Sequence, residues 1–480
     1  MLLAVMAEIL KPDVCIVGAD DLGINLAIAA RQRGLDTVLI DRGTPEAGDP
    51  RQGSLQRAAL RASAGRAEAI RSGARLGLDN ATLKLNYKTI AEHAATLARA
   101  TSPNSSAERL VALGVAVVKG APEWVDRRSM RVGETMLRPG HIILATGAAP
   151  FVPELPGLAE LPFFTPDTIL ANVRKLSHLL VVGGDAVALE WAQIYRRLGS
   201  DVTLVPHGAL LPGHDEETVS ILLRQLREEG LVVLEGARVA AFLPRSQGVG
   251  VTLAHPTDDL PPLDISHVLL AAGRVPELDW IALEKAKLKR AAGEPPRLLL
   301  DDWGRTSHAG ISAFGGAGNE ENHHAALWLG ERLLDRLAGR PTSGREVLLP
   351  REVQTTPALA QVGALDTIDG LKHGQTVLRT NLAENDAARA QGMGQGCAKL
   401  VIDRRGKILG AAMVGEGAGE AIASLALVMT KGLNAADLAS LPVTGTSVLA
   451  VLKDLGRQFA DQRPVARWQK RRAAMRRLLP

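Results

Sequence analysis

The chain contains two copies of one local pattern: a short apolar strand, a glycine-containing turn and a helix. In the first copy residues 14–17 lead into Gly18 and Gly23, and in the second residues 179–182 lead into Gly183 and Gly184. A strand, a G-x-G-x-x-G turn and a helix form the dinucleotide-binding βαβ unit, whose helix N-terminus holds the pyrophosphate. The repeat therefore predicts an α/β chain with two Rossmann-like domains.

Both turns have an aspartate, Asp20 or Asp185, where the motif has its central glycine. That glycine lets the backbone approach the pyrophosphate. A carboxylate about 4 Å from one phosphate charge costs about 1 kcal/mol in water and about 4 kcal/mol at an effective dielectric of 20. The resulting loss of affinity is roughly tenfold to a thousandfold. Aspartate is also a good helix N-cap, so Asp20 either faces the ligand or caps the helix.

The two copies differ in the acid that holds the ribose. Asp41 ends the strand at residues 37–40, about twenty residues beyond the first turn, where an acid commonly binds the ribose hydroxyls. The second copy has Pro206 and His207 at the corresponding place. Only the first copy therefore keeps this element.

Composition predicts an ordinary globular protein, long enough for three domains: 480 residues, 46% hydrophobic and 22% charged. No apolar tract reaches 18 residues, and the first residues lack a basic region and a small-residue cleavage site, so we expect a cytoplasmic protein without a membrane span. Of the two cysteines, Cys15 lies in a buried strand pattern and Cys397 is far away in sequence. Neither is predicted to belong to a redox pair.

With these elements in order, the whole chain from about Met6 resembles the flavoprotein disulfide reductases, most of all the dihydrolipoamide dehydrogenase and mercuric reductase-like branch. The residues that carry the resemblance are 11–18, Ala145-Thr146-Gly147, Gly183-Gly184 with Leu189-Glu190, Arg305-Thr306-Ser307, 356–363, 383–386 and 403–410.

The resemblance implies three domains: an FAD-type and an NAD(P)-type Rossmann-like domain, and a C-terminal α+β domain that builds a homodimer. The predicted bounds are 1–150 with 268–345 for the FAD-type domain, 151–267 for the NAD(P)-type domain, 346–462 for the interface domain and 463–480 for a basic tail.

The family's redox groups are missing from this sequence. The Cys-x-x-x-x-Cys disulfide belongs within residues 48–57 and the His-Glu pair within residues 441–449, and neither segment contains these residues. A hydroxyl such as that of Ser54 cannot cycle between dithiol and disulfide, so disulfide reduction of the family type is not expected. No catalytic residue is therefore predicted. His323 and His324 are adjacent, so their side chains diverge on a helix and no metal site is predicted either.

The flavin contacts are also altered. The ribityl-binding aspartate has become Gly316, and the lysine beside the flavin is missing, with Arg57 the nearest basic residue. Arg57 either pairs with Glu190, the usual partner of that lysine, or has a structural or solvated role at the surface. We expect FAD binding weakened by Asp20 and Gly316, and little NAD(P) binding. The predicted cofactor-binding residues are Gly18, Gly23, Asp41, Arg57, Ala145, Thr146, Gly147, Gly183, Gly184, Glu190, Gly315 and Gly316.

Three functions are consistent with these losses. The first is a dimeric pseudoenzyme that acts as partner, scaffold or sensor; the second is an active FAD enzyme that passes a hydride from NAD(P)H to a quinone or metal ion. The third is binding of another small ligand in the cavity. The expected partner is a second copy or an intact paralogue, and nucleic acid is not expected.

The excess of positive charge lies in the tail. Seven basic and no acidic residues follow from Arg463 onward, against a net charge of +4 for the whole chain. The tail is either a solvated terminal helix or an amphipathic helix that contacts an anionic membrane or an acidic protein.

Overall fold

The computed structural model describes residues 9–43, 53–78, 82–101, 106–257, 259–292, 297–318, 322–341, 348–365 and 374–462. The α-helices are α1 Asp21–Gln32, α2 Gly53–Ser72, α3 Tyr87–Thr101, α4 Ala107–Ala112, α5 Ala186–Arg197, α6 Glu216–Glu228, α7 His323–Leu337, α8 Asp386–Ala390, α9 Ala418–Lys431, α10 Ala435–Leu438 and α11 Ala450–Asp461. The strands are β1 Ile9–Leu10, β2 Val14–Val17, β3 Thr37–Asp41, β4 Ala116–Lys119, β5 Glu123–Trp124, β6 Met130–Val132, β7 Thr135–Leu137, β8 His141–Leu144, β9 Ala148–Pro150, β10 His178–Val182, β11 Asp201–Val205, β12 Val232–Val233, β13 Arg238–Pro244, β14 Val249–Ala254, β15 Leu263–Ile265, β16 His267–Leu270, β17 Arg274–Pro276, β18 Ile311–Ala313, β19 Arg351–Val353, β20 Ala358–Gly363, β21 Gln375–Asn381, β22 Cys397–Asp403 and β23 Ile408–Gly415.

The described residues belong to two compact units. The first unit contains those within 1–70, 81–210 and 231–344, and the second contains those within 71–80, 211–230 and 345–480. Residues 211–230, which the sequence analysis placed in the NAD(P)-type domain, therefore belong to the unit that holds the C-terminal sheet. Apart from residue 268, which lies in a strand of the second parallel sheet, the other predicted domain boundaries stay predictions. The basic tail, 463–480, lies outside the described residues.

The first unit is built on a five-stranded parallel sheet with strand order β18-β8-β2-β3-β4. Strand side chains alternate between the two faces. Val14 and Ile16 of β2 pack against α1 and α7, whereas Cys15 and Val17 pack against a core that includes Trp124 of a small four-stranded sheet. Because both faces of β2 are buried, all four of its residues are apolar.

A second parallel sheet in the same unit has strand order β12-β11-β10-β16. Helix α5 follows β10 and is buried along most of its length. The two parallel sheets confirm the prediction of two Rossmann-like repeats.

The second sheet includes residues that were predicted to belong to the FAD-type domain. That domain was expected to resume at residue 268, but β16 pairs with β10, with Leu180 opposite Val268. Return to the first sheet occurs at β18, which pairs with β8. A short buried apolar strand has the same sequence pattern in either parallel sheet, so periodicity does not identify its neighbour.

The second unit contains a five-stranded antiparallel sheet with strand order β19-β20-β23-β22-β21. Its core joins strand residues such as Leu400 and Met413 to Ile422 of α9 and Leu452 of α11. Helices on an antiparallel sheet give the α+β class that was predicted for the C-terminal domain. In neither unit do the described helices include one that is long and apolar enough to cross a bilayer.

His141, the first residue of β8, should make the stability of the first unit pH-dependent. Its Nε2 lies 3.1 Å from Ser312 Oγ in a buried site, and burial, with smaller effects of Arg336 and His308, lowers its pKa from 6.5 to about 4. Between these values the unfolded chain binds a proton that the folded chain does not, so stability falls as the pH drops from 6.5 towards 4. One such proton changes the free energy of unfolding by at most about 1.4 kcal/mol per pH unit.

We therefore expect the His141→Gln variant to lose less stability between pH 7 and pH 5 than the parent protein. Urea unfolding at both pH values measures this difference. His93→Gln is the matched control, because His93 is exposed on α3. An unchanged pH dependence in His141→Gln would contradict the assignment.

Candidate dinucleotide site

The first turn keeps two glycines that its geometry requires. Gly18 has φ +113°, and a Cβ there would overlap the carbonyl oxygen of Ala145. A Cβ on Gly23 would overlap the carbonyl oxygen of Gly18. A side chain at either position would therefore force the strand, the turn and α1 apart. The path of the backbone through a dinucleotide-binding turn is preserved.

Asp20 caps α1. Its Oδ1 accepts a hydrogen bond from the backbone N–H of Gly23 at 2.8 Å, and its backbone is extended as an N-cap requires. Its Oδ2 lies 3.6 Å from where a Cβ on Gly147 would stand. Of the two alternatives for Asp20, the structure has the cap. The carboxylate nevertheless stays in the turn beside Gly147 and occupies an N–H at the helix end where an anion would bind.

The other residues predicted for the first cofactor site lie at the ends of strands next to β2. Asp41 ends β3 and accepts the backbone N–H of Gly43 at 2.9 Å. Ala145 and Thr146 follow β8, and the Thr146 hydroxyl is buried without a hydrogen-bond partner in the structure. An unsatisfied buried hydroxyl is uncommon in proteins and is consistent with a missing ligand or water at this place.

Gly316 lies against the segment after Thr146. A Cβ at this position would come within 2.6 Å of the Ala148 Cβ and 2.7 Å of the Ala148 nitrogen. Ala148 is held in place because its carbonyl oxygen accepts a hydrogen bond from Arg274 Nε at 3.0 Å, and Arg274 also pairs with Asp167. An aspartate at residue 316 therefore does not fit without a backbone shift.

The second turn repeats the arrangement of the first. Asp185 accepts the backbone N–H of Ala188 at 2.8 Å and caps α5. A Cβ on Gly183 would overlap the carbonyl oxygen of Ala271, and one on Gly184 would come within 2.7 Å of the carbonyl oxygen of Ala209. The neighbouring β11 ends at Val205, and the next residues are Pro206 and His207 rather than an acid.

Glu190 of α5 is paired with two arginines of α2. Arg57 Nε lies 3.1 Å from Glu190 Oε2, and Arg61 Nη1 donates a hydrogen bond to Glu190 Oε1. The Glu190 side chain is 5% exposed, whereas those of Arg57 and Arg61 are 28% and 29% exposed. The prediction of an Arg57–Glu190 ion pair agrees with this geometry, and the Arg57 side chain is also partly exposed to solvent.

Arg61 was not among the predicted site residues. It lies four residues after Arg57, and residues at this spacing share one face of a helix. That spacing was the available signal, although the partner, 129 residues further along the chain, could not be read from it.

The predicted site residues form two groups. Gly18, Gly23, Ala145, Thr146, Gly147, Gly315 and Gly316 lie together where β2, β8 and β18 end, with Asp41 at the end of the adjacent β3. The other four, Arg57, Gly183, Gly184 and Glu190, lie at the second turn and its helix.

His323 lies near the first group. Its Nε2 is 3.3 Å from Asp21 Oδ2, and its pKa is lowered by burial, against an opposing effect of Asp21. His324 packs edge-on against it. Among the described residues, no group of three or more His, Cys, Asp or Glu side chains is arranged to hold a metal ion.

Both cysteines are buried thiols. Burial raises the pKa of Cys15 to about 12 and, together with Glu217 and Asp215, that of Cys397 to about 11. The reactive form of cysteine is the thiolate, so neither is prepared for exchange. Part of the segment where the family places its disulfide, residues 48–52, lies outside the described residues, but that segment has no cysteine in sequence.

Sequence comparisons identify the family. Residues 12–330 match the pyridine nucleotide-disulphide oxidoreductase family, and residues 349–444 match the dimerisation domain of these proteins. The chain belongs to the pyridine nucleotide-disulphide oxidoreductase family. The resemblance to flavoprotein disulfide reductases is thereby confirmed, as is the predicted fold class with its C-terminal dimerisation domain.

Individual members of this family align along most of the chain. A mercuric reductase of Streptomyces lividans is 29% identical over 443 residues, which are 89% of this chain and 92% of the relative. A dihydrolipoyl dehydrogenase of Geobacillus stearothermophilus is 26% identical over 440 residues, which are 90% and 92% of the two chains.

Solved structures show the same fold. LpdA from Mycobacterium tuberculosis superposes with a TM-score of 0.81 at 24% identity, covering 93% of this chain and 99% of LpdA. The HOCl-induced flavoprotein disulfide reductase RclA from Escherichia coli, as its Cu(II) complex, gives 0.78 at 22% identity, with coverage of 94% and 99%.

Proposed function

We propose that this family member is a dimeric pseudoenzyme that acts through its surface as partner, scaffold or sensor. The observation that carries the proposal is the Asp20 carboxylate, which lies in the first turn and already accepts the N–H of Gly23. It puts a negative charge where the family binds a pyrophosphate. The same substitution with the same capping bond recurs at Asp185, so both nucleotide sites are affected alike.

FAD fits one end of the first site and not the other. Gly18, Gly23 and Asp41 retain the turn and the acid that suit an adenosine group. The pyrophosphate end has Asp20, and the ribityl end has Gly316, where Ala148 leaves no room for the family's aspartate. We infer that FAD binds weakly, and that NAD(P) binds still less because Asp185 is combined with Pro206 in place of a ribose acid.

Disulfide reduction is not part of the proposed function. The reaction needs two thiols that exchange as thiolates. This chain has two cysteines in all, not spaced as the family's pair, and burial raises the pKa of each. The homodimer is supported by the dimerisation domain at residues 349–444. The heterodimer with an intact paralogue, the tail contacts with an anionic surface and the cytoplasmic location remain proposals.

Three observations favour a second candidate, an active FAD-dependent NAD(P)H oxidoreductase with a quinone or metal ion as acceptor. Within the described part of the chain, the buried Thr146 hydroxyl has no hydrogen-bond partner, as expected of a group that contacts a cofactor. Asp41 is at the ribose position. Arg57 and Arg61 pair with Glu190, and a glutamate at this place of the second helix is the usual partner of the family's lysine. When bound, FAD would supply hydride transfer between NAD(P)H and such an acceptor.

The absorption spectrum of the purified protein distinguishes the two candidates. We expect a protein without flavin bands that gains little bound FAD after incubation with excess FAD and gel filtration. Light scattering during the same filtration should give the mass of two 50.8 kDa chains.

The opposite result would be near-equimolar flavin that is bleached by NADH or NADPH and reoxidised by a quinone. That outcome would replace the pseudoenzyme by the oxidoreductase. A protein without flavin that is also monomeric would overturn the dimeric part of the proposal alone.

A further inference from the structure

A basic cavity lies at the edge of the first sheet where its strands begin. It has a volume of about 690 Å³ and is bordered by the segments that precede β2, β8 and β18 and by the turn between β5 and β6. The charged side chains that line it are Lys11, Asp13, Arg127, Arg128 and Arg138, with His308 beside them. We call this feature the basic cleft.

The cations of the basic cleft are accessible to a ligand in solution. Lys11, Arg127, Arg128 and Arg138 are exposed, and among the described residues none of them forms a salt bridge. The one acid in the lining, Asp13, accepts the backbone N–H of Asp36 at 2.8 Å. Asp126 lies close enough to Arg138 for that charge to lower its pKa, so four positive charges stand against two negative charges, and this excess attracts an anion.

A hydrogen-bonded turn fixes the segment that carries two of these arginines. The Asp126 carboxylate accepts the backbone N–H groups of Arg128 at 2.7 Å and Ser129 at 2.9 Å. These bonds, together with the charge of Arg138, hold the pKa of Asp126 below its usual value. The acid therefore stays ionised and the turn stays closed, so the backbone that carries Arg127 and Arg128 is already ordered before a ligand binds.

The basic cleft is separate from the nucleotide turns. Gly18, Ala145 and Gly315 follow the ends of β2, β8 and β18, whereas the cleft borders the starts of these strands. The strands are parallel, so starts and ends lie on opposite edges of the sheet. A strand of four residues spans about 13 Å.

We propose that the basic cleft binds a small compound with a diphosphate or triphosphate group, of about the size of a nucleotide. Arginine guanidinium groups form paired hydrogen bonds with phosphate oxygens, and three arginines with one lysine supply enough donors for a short phosphate chain. The volume lies within the usual range of small-molecule sites. This site is independent of the proposed function, because it uses none of the residues of the nucleotide turns.

Calorimetric titration of the full-length protein with inorganic pyrophosphate, ADP and AMP tests the proposal. We expect pyrophosphate and ADP to bind with similar affinity and AMP about tenfold more weakly. The Arg127→Ala, Arg128→Ala double variant should bind pyrophosphate about 100-fold more weakly, because each lost charge-assisted hydrogen bond costs roughly tenfold. The control is Arg66→Ala with Arg224→Ala, which removes the same charge from two other exposed positions.

Four results would overturn the proposal. Pyrophosphate and ADP at 1 mM could give no binding heat, or AMP could bind as tightly as ADP. The cleft variant could bind pyrophosphate as well as the parent protein does, which would place the anion at a nucleotide turn. The control variant could weaken binding as much as the cleft variant, which would make the effect one of net charge alone.

Discussion

Replacement of Lys399 by methionine is expected to lower the free energy of unfolding of the second unit by about 3–5 kcal/mol. Lys399 of β22 donates from Nζ to Asp215 Oδ2 at 2.6 Å, and the two side chains are 7% and 5% exposed. The variant leaves the Asp215 carboxylate buried without its cation. Removal of one partner of a buried ion pair is far more costly than replacement of both.

Asp215 is tied into the unit by further bonds. It caps α6 through the N–H of Thr218 at 3.0 Å, and its own N–H donates to Gln361 Oε1 at 3.1 Å. The carboxylate therefore cannot move out to water when Lys399 is lost without breaking the cap. Glu217, whose Oε2 is 3.4 Å from Lys399 Nζ, is also paired with Arg379.

Urea unfolding followed by far-ultraviolet circular dichroism measures the effect. Lys431→Met is the control, because Lys431 is exposed on α9. The Lys399→Met, Asp215→Asn double variant should be more stable than Lys399→Met alone, since asparagine keeps the cap and carries no charge. A loss below 1 kcal/mol in Lys399→Met, or losses that simply add in the double variant, would show that the pair is not energetically coupled.

Substitution of Asp20 by asparagine is expected to raise the affinity for FAD by roughly tenfold to a thousandfold. Asparagine is as good an N-cap as aspartate, so the bond to the N–H of Gly23 is kept and only the charge is removed. Asp20→Gly should also gain affinity, at a cost of a few tenths of a kcal/mol in stability, because glycine is a tolerated N-cap residue that lacks the side-chain bond. Comparison of the two variants separates the effect of the Asp20 charge on FAD affinity from the effect of the lost N-cap bond.

Equilibrium dialysis of FAD against protein freed of any bound flavin measures both affinities. Asp185→Asn is the matched control: it removes the same charge from the same position of the second turn and should leave FAD binding unchanged. A change of less than twofold in both Asp20 variants would show that the Asp20 charge does not limit FAD binding.

The residues alone favour Gly316→Asp as a companion to Asp20→Gly, since it restores the family's ribityl contact. The structure changes that expectation. A Cβ at residue 316 would come within 2.6 Å of Ala148, whose position Arg274 holds. Because the Ala148 backbone nitrogen and the Gly147 carbonyl carbon also lie 2.7 Å from that Cβ, we expect the second substitution to add no FAD affinity.

Local patterns and simple counts were enough for much of this protein. The two strand–turn–helix repeats predicted both parallel sheets, because strand periodicity and turn glycines depend on neighbouring residues. The missing cysteine pair and the aspartates at the central glycine positions are likewise visible in the sequence, and the resemblance to the reductases rested on such short motifs. No folded geometry is needed to see that a residue type is absent.

The tertiary structure decided what depends on segments far apart in sequence. Arg57 and Arg61 pair with Glu190, and β16 pairs with β10. Ala148 leaves no room for a side chain at residue 316. Four cations that are distant in sequence line one cleft: Lys11, Arg127, Arg128 and Arg138. The structure also showed that Asp20 caps its helix. Sequence patterns report the neighbours of a residue along the chain, whereas ion pairs, steric room and electric fields depend on its neighbours in space.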